Sequence, residues 1–177
     1  MYMTKTMLLG AALGLSLAGA QAGDWGNWRG PNYDGSTDAK DLPTKFSKTE
    51  NVRWSVKMDG PSAATPVIWG DNVFVSSSNQ EKERLTANCY DRKTGALKWS
   101  HQVAKGFRQD NRSNYASPSP VTDGHVVTFF YGGGELATFN MDGDKLWALN
   151  LQKKHGEFAF LWTFSTSPLI HDGVLYM

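Results

Sequence analysis

The chain has 177 residues, with 18 lysines and arginines against 17 aspartates and glutamates, for a formal net charge of +1 at pH 7. A balance this near neutral gives no electrostatic footprint for nucleic acid or for an acidic membrane surface. The single cysteine, Cys89, excludes a disulfide within these residues, and its place in a strand-forming run points to a buried thiol.

In chain order, residues 1–22 read as a secretory signal peptide. Lys5 precedes an apolar run from Met7 to Ala20, and Ala20-Gln21-Ala22 supplies a small-x-small cleavage site. The run is shorter than the roughly 20 apolar residues a membrane span needs and is interrupted by glycine, so no membrane span is expected. No cysteine stands near the cut, so export without a lipid anchor is expected. Residues 23–50 hold Trp25, Trp28, Arg29-Gly30-Pro31 and Leu42-Pro43 with no sustained period, and read as an irregular lead-in. Residues 51–57 then alternate around Trp54, with no turn or partner strand ahead of them. They read as an outermost strand without its own blade.

The stretch Asp91-Arg92-Lys93-Thr94-Gly95-Ala96-Leu97-Lys98-Trp99 is a tight turn feeding a strand. The Asp91 carboxylate can accept from backbone N–H groups just ahead, and Gly95 can take a positive φ. The turn recurs, one residue shorter, in Asn140 to Trp147, where glycine again lies four residues before tryptophan. A second marker repeats out of phase: Ala64-Thr65-Pro66-Val67, Pro118-Ser119-Pro120-Val121 and Ser167-Pro168-Leu169. Each leads to a glycine turn and an apolar pair. The prolines Pro66, Pro120 and Pro168 are 54 and 48 residues apart, and Trp54, Trp99 and Trp147 are 45 and 48 apart. Two markers sharing one period, in a chain of short strands, favour an all-β propeller over a sandwich with similar turns. The first four-stranded blade is expected over 62–103, with strands near 65–69, 73–78, 84–90 and 96–102. A second covers 115–151, and an incomplete third covers 163–177.

Over nearly all of the expected mature chain, these residues resemble the PQQ-like (pyrroloquinoline-quinone repeat) β-propeller proteins of secreted bacterial type. That repeat carries an Asp-x-x-Thr-Gly turn and a tryptophan, here Asp91, Thr94, Gly95 and Trp99. The opening Trp25-Gly26-Asn27-Trp28-Arg29-Gly30-Pro31 is similar to the start of secreted members. The resemblance implies seven or eight four-stranded blades when complete, with this chain an open arc of about two and a half. It also implies that residues 51–57 close the ring by pairing with strands encoded beyond Met177. Asn140 and Asp142 depart from the pattern, standing where aspartate and threonine would be.

The fold is a poor guide to chemistry, because quinoprotein dehydrogenases, an outer-membrane assembly scaffold and proteins of no known activity share it. Quinoprotein dehydrogenases hold PQQ on the channel axis with calcium, a catalytic aspartate and, in many, adjacent cysteines. None of these maps to a position here, so no catalytic, cofactor-binding or metal-binding residue is assigned. The expected function is a periplasmic or secreted non-catalytic scaffold that binds a protein or polysaccharide. The alternative is a PQQ-dependent alcohol or sugar dehydrogenase whose site lies mostly outside these residues.

Other motifs carry less. Gly132-Gly133-Gly134 lacks the Lys-Ser/Thr of a phosphate cradle, and Asn140-x-Asp142-x-Asp144 lacks the sixth and twelfth positions of a calcium loop. The four histidines have no ligand spacing. Two segments remain, because connections between blades cross a propeller face and reach the channel. Lys105 to Tyr115 offers Arg108, Arg112, Asn114 and Tyr115 as ligand contacts. In the second, Phe158, Phe160, Trp162 and Phe164 share one side if the chain is extended. Such a row packs as core between blades or, less often, stacks on a planar ligand, for which Trp162 is the candidate.

Overall fold

The computed structural model describes residues 23–40, 42–159 and 161–177, so the expected signal peptide over 1–22 lies outside the described residues. Two four-stranded antiparallel meanders and a hairpin follow one another in an open arc. The first sheet runs β1 (Val67–Trp69), β2 (Asn72–Asn79), β3 (Arg84–Asp91) and β4 (Leu97–Lys105), paired in sequence order. The second runs β5 (Val121–Thr122), β6 (Val126–Phe130), β7 (Glu135–Asn140) and β8 (Lys145–Asn150), likewise in order. A one-turn helix, α1 (Leu151–His155), follows, its first turn capped by the Asn150 side chain accepting from the Lys153 N–H. The hairpin is β9 (Leu169–His171) with β10 (Val174–Tyr176). These are two blades and the first hairpin of a third, as the repeat predicts.

Side chains alternate between the two faces of the strands. In the first blade Phe74, Leu85, Ala87 and Cys89 face one way and pack with Val127, Phe129, Tyr131, Ala137 and Phe139 of the second blade in one cluster. Val73, Val75 and Tyr90 face the other way, covered by Trp54, Met58 and Ile68. Both faces of β2 and β3 are therefore buried, and burial pushes the Cys89 thiol up to about 12, an inert thiol.

The recurring tryptophans join one repeat to the next. Trp99 on β4 crosses to the β7–β8 turn, where its indole N–H donates to the Met141 carbonyl at 3.2 Å. A Cβ on Gly143 would lie 2.7 Å from the Trp99 ring, so only glycine leaves room, and its φ of +98° suits glycine as well. Trp54 repeats this arrangement one blade earlier, its indole N–H donating to the Arg92 carbonyl at 2.9 Å with its ring against Gly95. Residues 51–57 join no sheet among the described residues, yet Trp54 stands on the first blade as Trp99 of β4 stands on the second.

A second ladder runs through the proline markers. The Thr65 N–H donates to the Ser119 hydroxyl and the Ser119 N–H to the Ser167 hydroxyl, each at 2.9 Å, so neighbouring repeats are bonded where their innermost strands begin. The lead-in lies across these inner strands. Trp25 exchanges backbone hydrogen bonds with Ile68 of β1, and the Gly26 carbonyl accepts from the Thr122 N–H of β5.

Glu135, at the start of β7, carries a testable cost. Its Oε1 accepts from Asn150 at 3.2 Å, while Oε2 is buried without a partner among the described residues. Burial raises its pKa, so the folded protein holds this proton more tightly than the unfolded chain. The penalty is therefore present above the folded pKa and is relieved as pH falls through it. Glu135→Gln should raise the melting temperature at pH 7.5 and leave it nearly unchanged near pH 4. A lower melting temperature at pH 7.5 would show that the carboxylate is a stabilising group.

Candidate functional site

Asp110 draws the two segments singled out in the sequence together. Its Oδ1 accepts from the N–H groups of Arg112 at 2.9 Å and Ser113 at 2.8 Å and from the Ser113 hydroxyl at 2.9 Å. These bonds repeat those of Asp91 to Lys93 and Thr94 in the β3–β4 turn. Oδ2 reaches across to accept the Thr163 N–H at 2.9 Å. The Thr163 amide, then that of Arg112, hold the Asp110 carboxyl well below the usual carboxylate range, which keeps it anionic. The guanidinium of Arg108 adds a second strap, donating to the Leu161 carbonyl at 2.8 Å.

Behind the straps the Gly132 N–H donates to the Tyr115 carbonyl at 2.8 Å, and a Cβ on Gly132 would lie 2.7 Å from the Phe164 carbonyl oxygen. The triple glycine thus acts as a close-approach floor for both segments. No phosphate cradle is formed, since β7 rather than a helix follows it.

The aromatics of 158–164 would share one side only along an extended chain, and the chain is not extended here. The chain bends at 161–162, and Phe158 stacks on Phe164 at 4.5 Å between ring centroids. Both rings meet Phe130 edge-on, at 6.4 and 5.9 Å. Two residues six apart cannot stack within one extended strand, whose rise is about 3.3 Å per residue. The phenylalanines therefore pack as core, while Trp162 turns outward and is 61% exposed. Phe160 lies outside the described residues.

Between the straps and the entries to β5 and β9 is a cavity of about 1250 Å³. Asp110 to Ser113 form one wall, Trp162 to Ser167 another, and Ser117, Ser119, Ala63 and Trp28 of the lead-in complete it. Of the five residues expected to contact a ligand, Arg112 and Trp162 line this cavity. Arg108 braces it from behind. Asn114 is buried, its Oδ1 accepting from the Ala116 N–H at 2.8 Å, and Tyr115 packs against the interblade core, so both support the loop. A smaller cavity of about 680 Å³ is lined by lead-in residues between Gly23 and Ala39 together with Trp69, Asp123 and Ile170. Sequence reasoning missed Asp110 and Trp28. Asp110 could have been found, because Asp110-x-x-Ser113 repeats the Asp91-x-x-Thr94 pattern. Trp28 sits in a segment with no period to place it.

Residues 37–177 match the protein family described as outer membrane protein assembly factor BamB, a PQQ-repeat family. The chain belongs to this family. Among solved structures, it is similar to BamB from Moraxella catarrhalis, with 22% identity over 70% of this chain and 32% of that one and a TM-score of 0.49. It is also similar to a europium-containing methanol dehydrogenase, with 17% identity over 62% of this chain and 19% of that one and a TM-score of 0.43. The chain thus spans about a third of the length of the first structure and about a fifth of the second. No curated protein matches it. The BamB-family blades place the Asp110 straps and their cavity at the blade-to-blade connection, and no helix among the described residues is long and apolar enough to cross a membrane.

Proposed function

We propose that this chain is part of an exported, non-catalytic propeller scaffold, periplasmic or secreted, that binds a protein or polysaccharide at the Asp110-braced cavity. The observation that carries the reading is the bracing itself. Asp110 and Arg108 tie residues 105–115 to 161–163 through charge-assisted bonds, so that Arg112 and Trp162 line a cavity whose form does not wait on the ligand. The titratable groups lining it are Asp110, fixed as an anion, and Arg112, a pair suited to recognition rather than to moving a proton. Export rests on residues 1–22. Residues 51–57 are proposed to serve as the outer strand of the blade that closes the ring, because Trp54 docks on the first blade as Trp99 docks on the second.

Under this reading none of the described residues is assigned to a quinone or to calcium. No group of three or more histidine, cysteine, aspartate or glutamate side chains among them is placed to hold a metal ion. Titration of the full-length protein with PQQ and calcium, followed by a dye-reduction assay with alcohols and sugars, tests the reading. Neither saturable quinone binding nor turnover is expected. Saturable binding with substrate-dependent dye reduction would overturn it.

A further inference from the structure

We infer that the cavity between Trp28 and Trp162 is a saccharide site for a neutral oligosaccharide, an inference that rests on the binding-scaffold reading above. Its volume, about 1250 Å³, exceeds the roughly 300–1,000 Å³ of an ordinary small-molecule pocket and leaves room for more than one sugar ring. Two indoles line it, Trp28 at 55% and Trp162 at 61% exposure. An indole offers a broad apolar face with a polar edge, which suits the C–H face of a pyranose with hydroxyls around its rim.

The backbone that carries each indole is held before any ligand arrives. Trp162 sits between Leu161, whose carbonyl is bonded to Arg108, and Thr163, whose N–H is bonded to Asp110. Trp28 carries the Arg29 guanidinium 5.1 Å over its ring, in a turn where the Asn27 side chain accepts from the Arg29 N–H at 2.8 Å. Groups fixed in advance lose little entropy on binding.

The polar lining matches the same ligand. It is mostly hydroxyl: Ser113 and Ser165 give their protons to Asp110 and to the Thr163 carbonyl and keep lone pairs to accept from a ligand, while Ser117, which accepts from the Asn114 N–H, keeps a proton to donate. Its carboxylate is engaged by protein donors, so Arg112 supplies the charged hydrogen-bonding group. The walls are irregular segments presenting side chains, so the cavity offers no sheet edge for a peptide to extend.

The test is a set of calorimetric titrations of the full-length protein with neutral hexasaccharides of the cello-, xylo-, chito- and malto- series. At least one series should bind saturably. Trp162→Ala and Trp28→Ala should each weaken that binding by about tenfold or more, equivalent to about 1.4 kcal/mol. Phe46→Ala, at an exposed aromatic that lines neither cavity, should leave it unchanged, with circular dichroism and melting temperature checking that each variant folds. Absence of saturable binding to all four series overturns the inference, as does binding that survives both cavity substitutions. A protein ligand lost on Trp162→Ala, without saccharide binding, would overturn the saccharide site and leave the scaffold reading standing. PQQ-dependent turnover would overturn both.

Discussion

Trp99→Ala should destabilise the protein by about 3 to 5 kcal/mol in urea denaturation, the range for emptying a large aromatic site in a core. The indole meets Phe74 of its own blade at 5.8 Å between centroids, and Phe129 and Phe139 of the next at 6.2 and 5.6 Å. Its N–H closes the seam on the Met141 carbonyl. Truncation would remove a face shared by both blades and leave that carbonyl without its indole donor, and the neighbouring strands are too well paired to collapse into the gap. A loss below about 1 kcal/mol, the scale of surface substitutions, would place Trp99 outside the seam.

The second large effect is expected at Gly143, which faces the same indole from the other blade. Gly143→Ala should cost about 3 to 5 kcal/mol, combining a positive-φ backbone with overpacking against a fixed ring. The added Cβ would lie 2.7 Å from Trp99 Cγ, closer than real Cβ contacts come, at a φ of +98°. Gly70→Ala is the matched control, because its φ is +55° but nothing lies within 4 Å of the added carbon. It should show the backbone cost alone, about 1 to 2 kcal/mol. Equal losses at the two glycines, by the same denaturation measurement, would mean that the ring does not sit on Gly143.

Much of this seam was legible in the sequence because its parts recur at one period. Trp54, Trp99 and the turns at Asp91 and Asn140 could be aligned without coordinates. The Asn140 turn departs from the repeat yet holds, since the Asn140 side chain accepts from the Asp144 N–H at 2.8 Å and the Gly143 N–H returns to the Asn140 carbonyl at 3.2 Å. The site was less legible. Alternation suggested one aromatic row over 158–164, but alternation describes a side-chain pattern only when the backbone is extended, and a bend at 161–162 sends the phenylalanines to the core and Trp162 to the cavity. Asp110 looked like one polar residue among many in its loop. Its importance lies in Thr163, 53 residues away, and nothing in local spacing encodes that distance. Helix α1 is too short for a helical period to show, and only the Asn150 cap marks it.

The account stands on the claim that Trp99 locks the first blade onto the turn glycine of the second, as Trp54 sits on Gly95, because the same register sets Thr65 beside Ser119 and so places Ser119 on the cavity wall. A double-mutant cycle between Trp99 and Gly143 tests that claim most directly. With the indole removed, a methyl at position 143 has open space to enter, so Gly143→Ala should cost far less in the Trp99→Ala background than alone. The cycle should return a coupling of at least about 1 kcal/mol, within the range for residues in contact. Effects that add to within about 0.5 kcal/mol, as for distant sites, would contradict the claim.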